Sequence, residues 1–121
     1  RVATWNINSV RLRLPQVLRF IKEQRIDILC LQETKTEDKF FPSNKKKKQN
    51  ETPKHRGEKS YNGVAILSNF KLEDENFINW CGKKGTRHIS VKLNKNIELH
   101  NFYIPAGGDE PDVSSNPKFH H

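Results

Sequence analysis

Two oxygen donors stand out in this chain of 121 residues: Asn6 within Thr4-Trp5-Asn6-Ile7-Asn8, and Glu33 within Leu31-Gln32-Glu33-Thr34-Lys35. An amide oxygen beside a carboxylate is hard-oxygen chemistry. It suits a magnesium ion that keeps several waters and takes further oxygens from a phosphate. That chemistry requires the two residues to meet, and the intervening sequence supplies the means. Val2, Ala3 and Trp5 form an apolar run ahead of Asn6, and Ile28 to Leu31 form another ahead of Glu33. Between them, Leu14, Val17, Leu18 and Ile21 recur at i, i+3, i+4 and i+7, one face of a helix, with Pro15 read as its opening residue. Strand, helix, strand makes the two strands parallel through a right-handed crossover. Asn6 and Glu33 are therefore expected on one edge of one sheet, where ligands of open α/β sheets bind. The ordinary alternative is that both residues cap strand ends and bond the following turns.

Later segments add further elements. Tyr61-Asn62-Gly63 is turn chemistry leading into a short buried strand at Val64, Ala65, Ile66 and Leu67. Ile89, Val91 and Leu93 alternate, Asn94-Lys95-Asn96 makes a turn, and the run from Ile97 returns to Tyr103, so a hairpin delivers Tyr103 and Pro105 to one end. Residues 43–59 contain no apolar side chain but hold four consecutive lysines and a proline, which predicts a solvated basic loop. His55, His88 and His100 lack metal-ligand spacing and are expected at surface or strand positions.

Composition bounds the function. A formal net charge of +8 points to a polyanionic partner, although surplus lysine also serves plain solubility. Hydrophobic residues are 33% of the chain, and the 6 glycines do not lift the apolar share to the usual figure of about 45–50%, so the core is expected to be thin. Mean hydropathy is −0.88, and no apolar segment is long enough to span a bilayer, which argues against a membrane partner. Cys30 lies inside an apolar strand run and Cys81 is the only other cysteine, a usage that fits a reducing cytoplasm.

The segments TWNINSVRLRLPQV, DILCLQETK, EKSYNGVAILS and NFYIPAGGDEP, in this order, resemble the amino-terminal half of the exodeoxyribonuclease III enzymes. These are the apurinic/apyrimidinic endonucleases of the endonuclease/exonuclease/phosphatase superfamily, and the likeness runs from Arg1 to about Lys118. It implies an incomplete α/β fold, part of a four-layered α/β sandwich with a mixed β-sheet. Residues 1–121 would be the amino-terminal portion of a single domain. It also implies Mg2+, with Mn2+ as an alternative, held by Asn6 and Glu33. Tyr103 would be the catalytic tyrosine steadying the phosphate, with Arg87 and Tyr61 facing DNA. The partner implied is double-stranded DNA with abasic sites or 3′ ends. Family members continue with a Gly-Asp-x-Asn segment, a later aspartate and a Ser-Asp-His segment, none of which follows Pro105, so the chain is expected to be half an enzyme, impaired without a carboxyl-terminal half. Two rivals stand beside the nuclease: a non-catalytic basic module that clings to nucleic acid, and a phosphatase of the same superfamily acting on small phosphoesters.

Overall fold

A computed structural model describes residues 1–42, 53–82, 85–94, 96–112 and 114–116. The chain runs β1 (Val2–Asn6), α1 (Val10–Glu23), β2 (Ile28–Gln32), β3 (Lys54–Arg56), β4 (Val64–Ser68), β5 (Glu73–Asn76), β6 (His88–Asn94) and β7 (Ile97–Phe102), with single 3-10 turns at Asp38–Phe40 and Trp80–Gly82. β1 and β2 are parallel, in register from Val2 opposite Ile28 to Asn6 opposite Gln32. A mixed sheet has the order β1-β2-β4-β3, and a second, antiparallel sheet has the order β5-β6-β7.

β2 explains how the layers stack. Its side chains alternate between faces, so Leu29 and Leu31 join Val10, Val17 and Ile21 of α1 in one apolar cluster. Ile28 and Cys30 join Val64, Ile66, Ile89 and Val91 in another, against the antiparallel sheet. Burial on both faces is why β2 reads as a continuous apolar run rather than an alternating one. Helix, mixed sheet and antiparallel sheet thus form three successive layers of the expected α/β sandwich. Burial pushes the Cys30 thiol up to about 11, so it behaves as a small apolar side chain. Among the described residues no helix is long and apolar enough to cross a membrane.

Three details depart from the sequence reading. Helix α1 begins at Val10, and Pro15 lies inside it rather than opening it. The start is set by backbone rather than by a side-chain cap: Ser9 N–H donates to Glu33 O at 2.8 Å and Val10 N–H to Thr34 O at 3.0 Å. Pro15 sits on the exposed side, where its missing N–H leaves only the Arg11 carbonyl without an intrahelical donor. The basic segment also holds a strand, β3, paired with β4. Polar side chains fasten it: the Arg56 guanidinium lies 3.6 Å over the Phe77 ring and donates to His88 O at 3.0 Å, while His55 bonds Asp38 at 2.7 Å and stacks on Phe41. The lysine run at residues 45–48 lies outside the described residues. Finally, β5 carries four exposed polar residues and is held by main-chain pairing to β6.

His88 is buried in β6 and its protons are ordered by its partners. Ile78 N–H donates to His88 Nδ1 at 2.9 Å, so the proton sits on Nε2 and is donated to His100 Nδ1, also at 2.9 Å. His100 Nε2 in turn lies 3.1 Å from Glu98 Oε1. Burial, followed by the neighbouring His100 and Arg56, pushes the His88 pKa down, which keeps this row neutral at its head.

The two sheets meet near Gly63, just ahead of β4. Its backbone φ is +95°, and an added Cβ would stand 2.0 Å from Thr34 Oγ1. Gly63→Ala is therefore expected to lose about 2–4 kcal/mol from strain and overlap together. Urea denaturation reads this as a lower midpoint with an unchanged slope; an unchanged midpoint would mean that the Thr34 turn moves aside at no cost.

Candidate active site

The site grows from the seam between the ends of β1 and β2. Ile7 N–H donates to Gln32 O at 2.9 Å, and the Ser9 and Val10 bonds already described continue the pairing past both strand ends. To make that turn, Asn8, Ser9, Glu33 and Lys35 all adopt positive φ, +47°, +88°, +55° and +52°. Such backbone is uncommon for non-glycine residues and costly. The loop before β4 is tied on as well, through Thr34 N–H to Gly63 O at 3.3 Å and Lys35 N–H to Asn62 O at 2.9 Å. Two further bonds bring in the antiparallel sheet: Gly63 N–H to Thr86 O at 3.0 Å and Tyr103 N–H to Arg87 O at 2.8 Å.

The side chains converge on Glu33. Tyr103 donates its hydroxyl to Glu33 Oε1 at 2.7 Å, and Lys35 Nζ stands 3.6 Å from Oε2. The bond from Tyr103, then one from Asn6, hold the Glu33 carboxyl below the usual carboxylate range, with Lys35 assisting against the opposing effect of burial. The same contact acts oppositely on its partner: the ionised Glu33, then burial, push the Tyr103 phenol up, against a smaller pull from Arg87. The carboxylate is thus charged and the phenol protonated at neutral pH. Arg87 lies over the Tyr103 ring, 4.8 Å from guanidinium carbon to centroid. Its Nη1 is buried with no hydrogen-bond partner among the described residues, a donor free to meet an incoming acceptor.

Asn6, Glu33, Tyr103 and Arg87 are therefore brought together. Tyr61 is not in that cluster; its ring is 70% exposed on the loop that bonds Lys35. The sequence reading missed a groove of about 400 Å³ beside Lys35, lined by Arg11, Lys39, Phe40 and Lys59, with both Arg11 and Lys39 close to the Phe40 ring. Its signal was available, since Arg11, Lys35 and Lys59 all lie inside the quoted motifs. The donors offered to a metal are one ionised carboxylate and one amide, and no group of three or more His, Cys, Asp or Glu gathers among the described residues. Hard oxygens with an ionised carboxylate fit a divalent cation that keeps most of its waters.

The family model of the Endonuclease/Exonuclease/phosphatase family matches residues 3–117. Among solved structures, a 3′ phosphatase, NExo, from Neisseria bound to a product DNA hairpin is similar over 98% of this chain and 47% of its own, at 30% identity and TM-score 0.83. The 3′-5′ exonuclease NExo from Neisseria meningitidis is similar over 98% and 45%, at 32% identity and TM-score 0.82. An AP endonuclease from Archaeoglobus fulgidus is similar over 88% and 41%, at 39% identity and TM-score 0.79. This chain thus spans less than half the length of each of these structures.

The reciprocal shifts set a pH dependence. The raised Tyr103 makes its bond stabilising below the unfolded phenol value of about 10, a contribution lost as pH rises through the higher folded value. The depressed Glu33 contributes above the unfolded value of about 4.3, and this is lost as pH falls through the lower folded one. Glu33→Gln is expected to bring the Tyr103 titration down toward an ordinary phenol, read by ultraviolet absorbance in a Tyr61→Phe background. An unchanged curve would show that some other group holds the proton.

Proposed function

The chain belongs to the endonuclease/exonuclease/phosphatase family, and we propose that it serves metal-dependent hydrolysis of DNA phosphodiesters, of the exodeoxyribonuclease III type, at abasic sites and 3′ ends. Members of this family are hydrolytic enzymes, and their nucleases generally depend on a divalent metal. The observation that carries the proposal is a protonated phenol and an ionised carboxylate 2.7 Å apart at a sheet edge, with the acceptor-free Arg87 Nη1 beside them. The DNA hairpin in the Neisseria structure supports DNA as the substrate class.

In this reading Asn6 and Glu33 would hold Mg2+ or Mn2+, and such an ion would supply Lewis-acid stabilisation of charge on the phosphate and on the leaving 3′ oxygen. Tyr103 keeps its proton and donates a hydrogen bond to a phosphate oxygen as charge builds there. Arg87 supplies Nη1 to the same phosphate, which satisfies its missing acceptor. Tyr61 presents an exposed ring to the DNA strand, and the groove of Arg11, Lys35, Lys39 and Lys59 takes neighbouring phosphates. The attacking water needs a base, and in the enzymes that the motifs resemble this comes from segments beyond those matched here. The chain with only its own residues is therefore proposed to bind but not to turn over. A 3′-phosphatase reading has one observation in its favour, the likeness to the 3′ phosphatase NExo from Neisseria; labelled duplexes ending in a 3′ phosphate distinguish it from abasic-site cleavage.

Magnesium-dependent nicking of an abasic duplex is expected to be absent for this chain and to appear when the carboxyl-terminal half of a close homologue is added. Within that mixture Tyr103→Phe should lower the rate about 10²-fold, the usual cost of one preorganised donor, and Glu33→Ala should abolish it. Robust cleavage by the chain alone, lost in both variants, would falsify the assignment of the base to another segment. A separate measurement addresses binding. Fluorescence anisotropy with duplex DNA should show affinity falling by about 10²-fold or more between 50 and 200 mM salt as counterions are released. A flat response would remove the electrostatic account and with it the basic-module alternative.

A further inference from the structure

We propose that Asn101 is the positioning residue for the Tyr103–Glu33 pair, fixing by hydrogen bonds how the strand that carries Tyr103 is seated over the strand that carries Glu33. This rests on the reading of that pair as the phosphate-handling centre. Asn101 lies in β7, two residues before Tyr103, and is 2% exposed. Its Nδ2 donates to Leu31 O at 2.9 Å and to Ala65 O at 2.8 Å, and its Oδ1 accepts from Gln32 Nε2 at 2.8 Å. Gln32 Nε2 also donates to Thr4 Oγ1 at 2.8 Å. The amides of Asn101 and Gln32 together thereby join four strands at the depth from which they leave for the site, Asn101 itself bonding β2 and β4 from β7 and Gln32 adding β1. Leu31 and Gln32 precede Glu33, Thr4 precedes Asn6, and Ala65 follows the Gly63 turn that bonds Thr34.

The physical need for such a residue follows from how the sheets meet. Ile28, Cys30 and Ile66 face Ile89 and Val91 through apolar contact. Apolar burial opposes separation of two layers but is non-directional, so it resists sliding along the strands only weakly. The bond from Tyr103 to Glu33 is directional, and at 2.7 Å it does not survive a slide of about 1 Å with its strength intact. Tyr103 lies one residue beyond β7, and its bond from N–H to Arg87 O at 2.8 Å ties it within its own sheet and not to the mixed sheet. Asn101 supplies directional bonds across the interface where the apolar contact supplies none. Its orientation is forced, because only the amide NH2 can serve two carbonyls at once.

The test reads the phenol rather than turnover. In a Tyr61→Phe background, the Tyr103 titration is followed in the 121-residue chain with wild-type Asn101, with Asn101→Leu, with Asn101→Ser and with Gln32→Leu. Asn101→Leu keeps the branched shape and removes every side-chain bond; Asn101→Ser is the second route should the larger leucine prevent folding. The expected result is a folded variant by circular dichroism in which the Tyr103 titration drops toward the ordinary phenol value. Gln32→Leu leaves both carbonyl bonds in place and should titrate as wild type. A folded Asn101 variant with an unchanged Tyr103 titration overturns the proposal, and failure of both Asn101 variants to fold overturns it in favour of a purely structural role. A shift in Gln32→Leu equal to that in Asn101→Leu transfers the role to Gln32. The measurement uses neither DNA nor metal, so a failure here and a failure of the nuclease reading are seen in different experiments.

Discussion

Every functional feature of this chain depends on one run of backbone hydrogen bonds, the seam that continues β1–β2 pairing beyond the strands themselves. Parallel strands ordinarily part company where their ladder ends. Here Ile7, Ser9 and Val10 go on donating to Gln32, Glu33 and Thr34, so the start of α1 is capped by the segment that carries the acidic residue. The helix needs donors satisfied at its first turn, and the strand end needs partners for its carbonyls. Each supplies what the other lacks. Asn6 and Glu33 are held together by this exchange, independently of any attraction between their side chains.

Around the seam, charge is arranged so that each group fixes the protonation of the next. Glu33 stays ionised because Tyr103 and Asn6 donate to it, and Tyr103 stays protonated because Glu33 accepts from it. Arg87 and Lys35 then leave the cluster with more positive than negative charge, as an anion-binding surface requires. The adjoining groove extends that sign of charge away from the centre, toward Arg11, Lys39 and Lys59. Electrostatics and fold are therefore continuous: the loops that create the centre also carry the surrounding cations.

The parts legible in the sequence were those written in apolar periodicity or in motif. β1, β2, β4 and the β6–β7 hairpin follow from their hydrophobic runs, and the meeting of Asn6 and Glu33 follows from where those runs end, while Tyr103 and Arg87 were marked as site residues by motif alone. The start of α1 was misread at Pro15 because proline is a strong local signal, whereas the true cap comes from backbone carbonyls some two dozen residues away. β5 was invisible because Glu73, Asp74, Glu75 and Asn76 bury nothing and owe their strand form to β6. β3 hid in a basic segment for the same reason, its attachment resting on Arg56 and His55 finding partners distant in sequence. Periodicity reports burial, and these two strands are fastened by polar contacts instead.

The positive φ angles at Asn8, Glu33 and Lys35 have an evolutionary consequence. A left-handed backbone costs an ordinary side chain about 1–2 kcal/mol, and glycine essentially nothing. Under selection for stability alone, Lys35 would drift toward glycine or asparagine, whereas at Glu33 the relief of the backbone is offset by loss of the stabilising bond from Tyr103. A lysine at such an angle sets folding robustness against positive charge at that position. A stabilised descendant would be expected to gain its robustness in the last turns of α1 or at the turn end of the β6–β7 hairpin, away from the seam, where substitutions do not trade against the site.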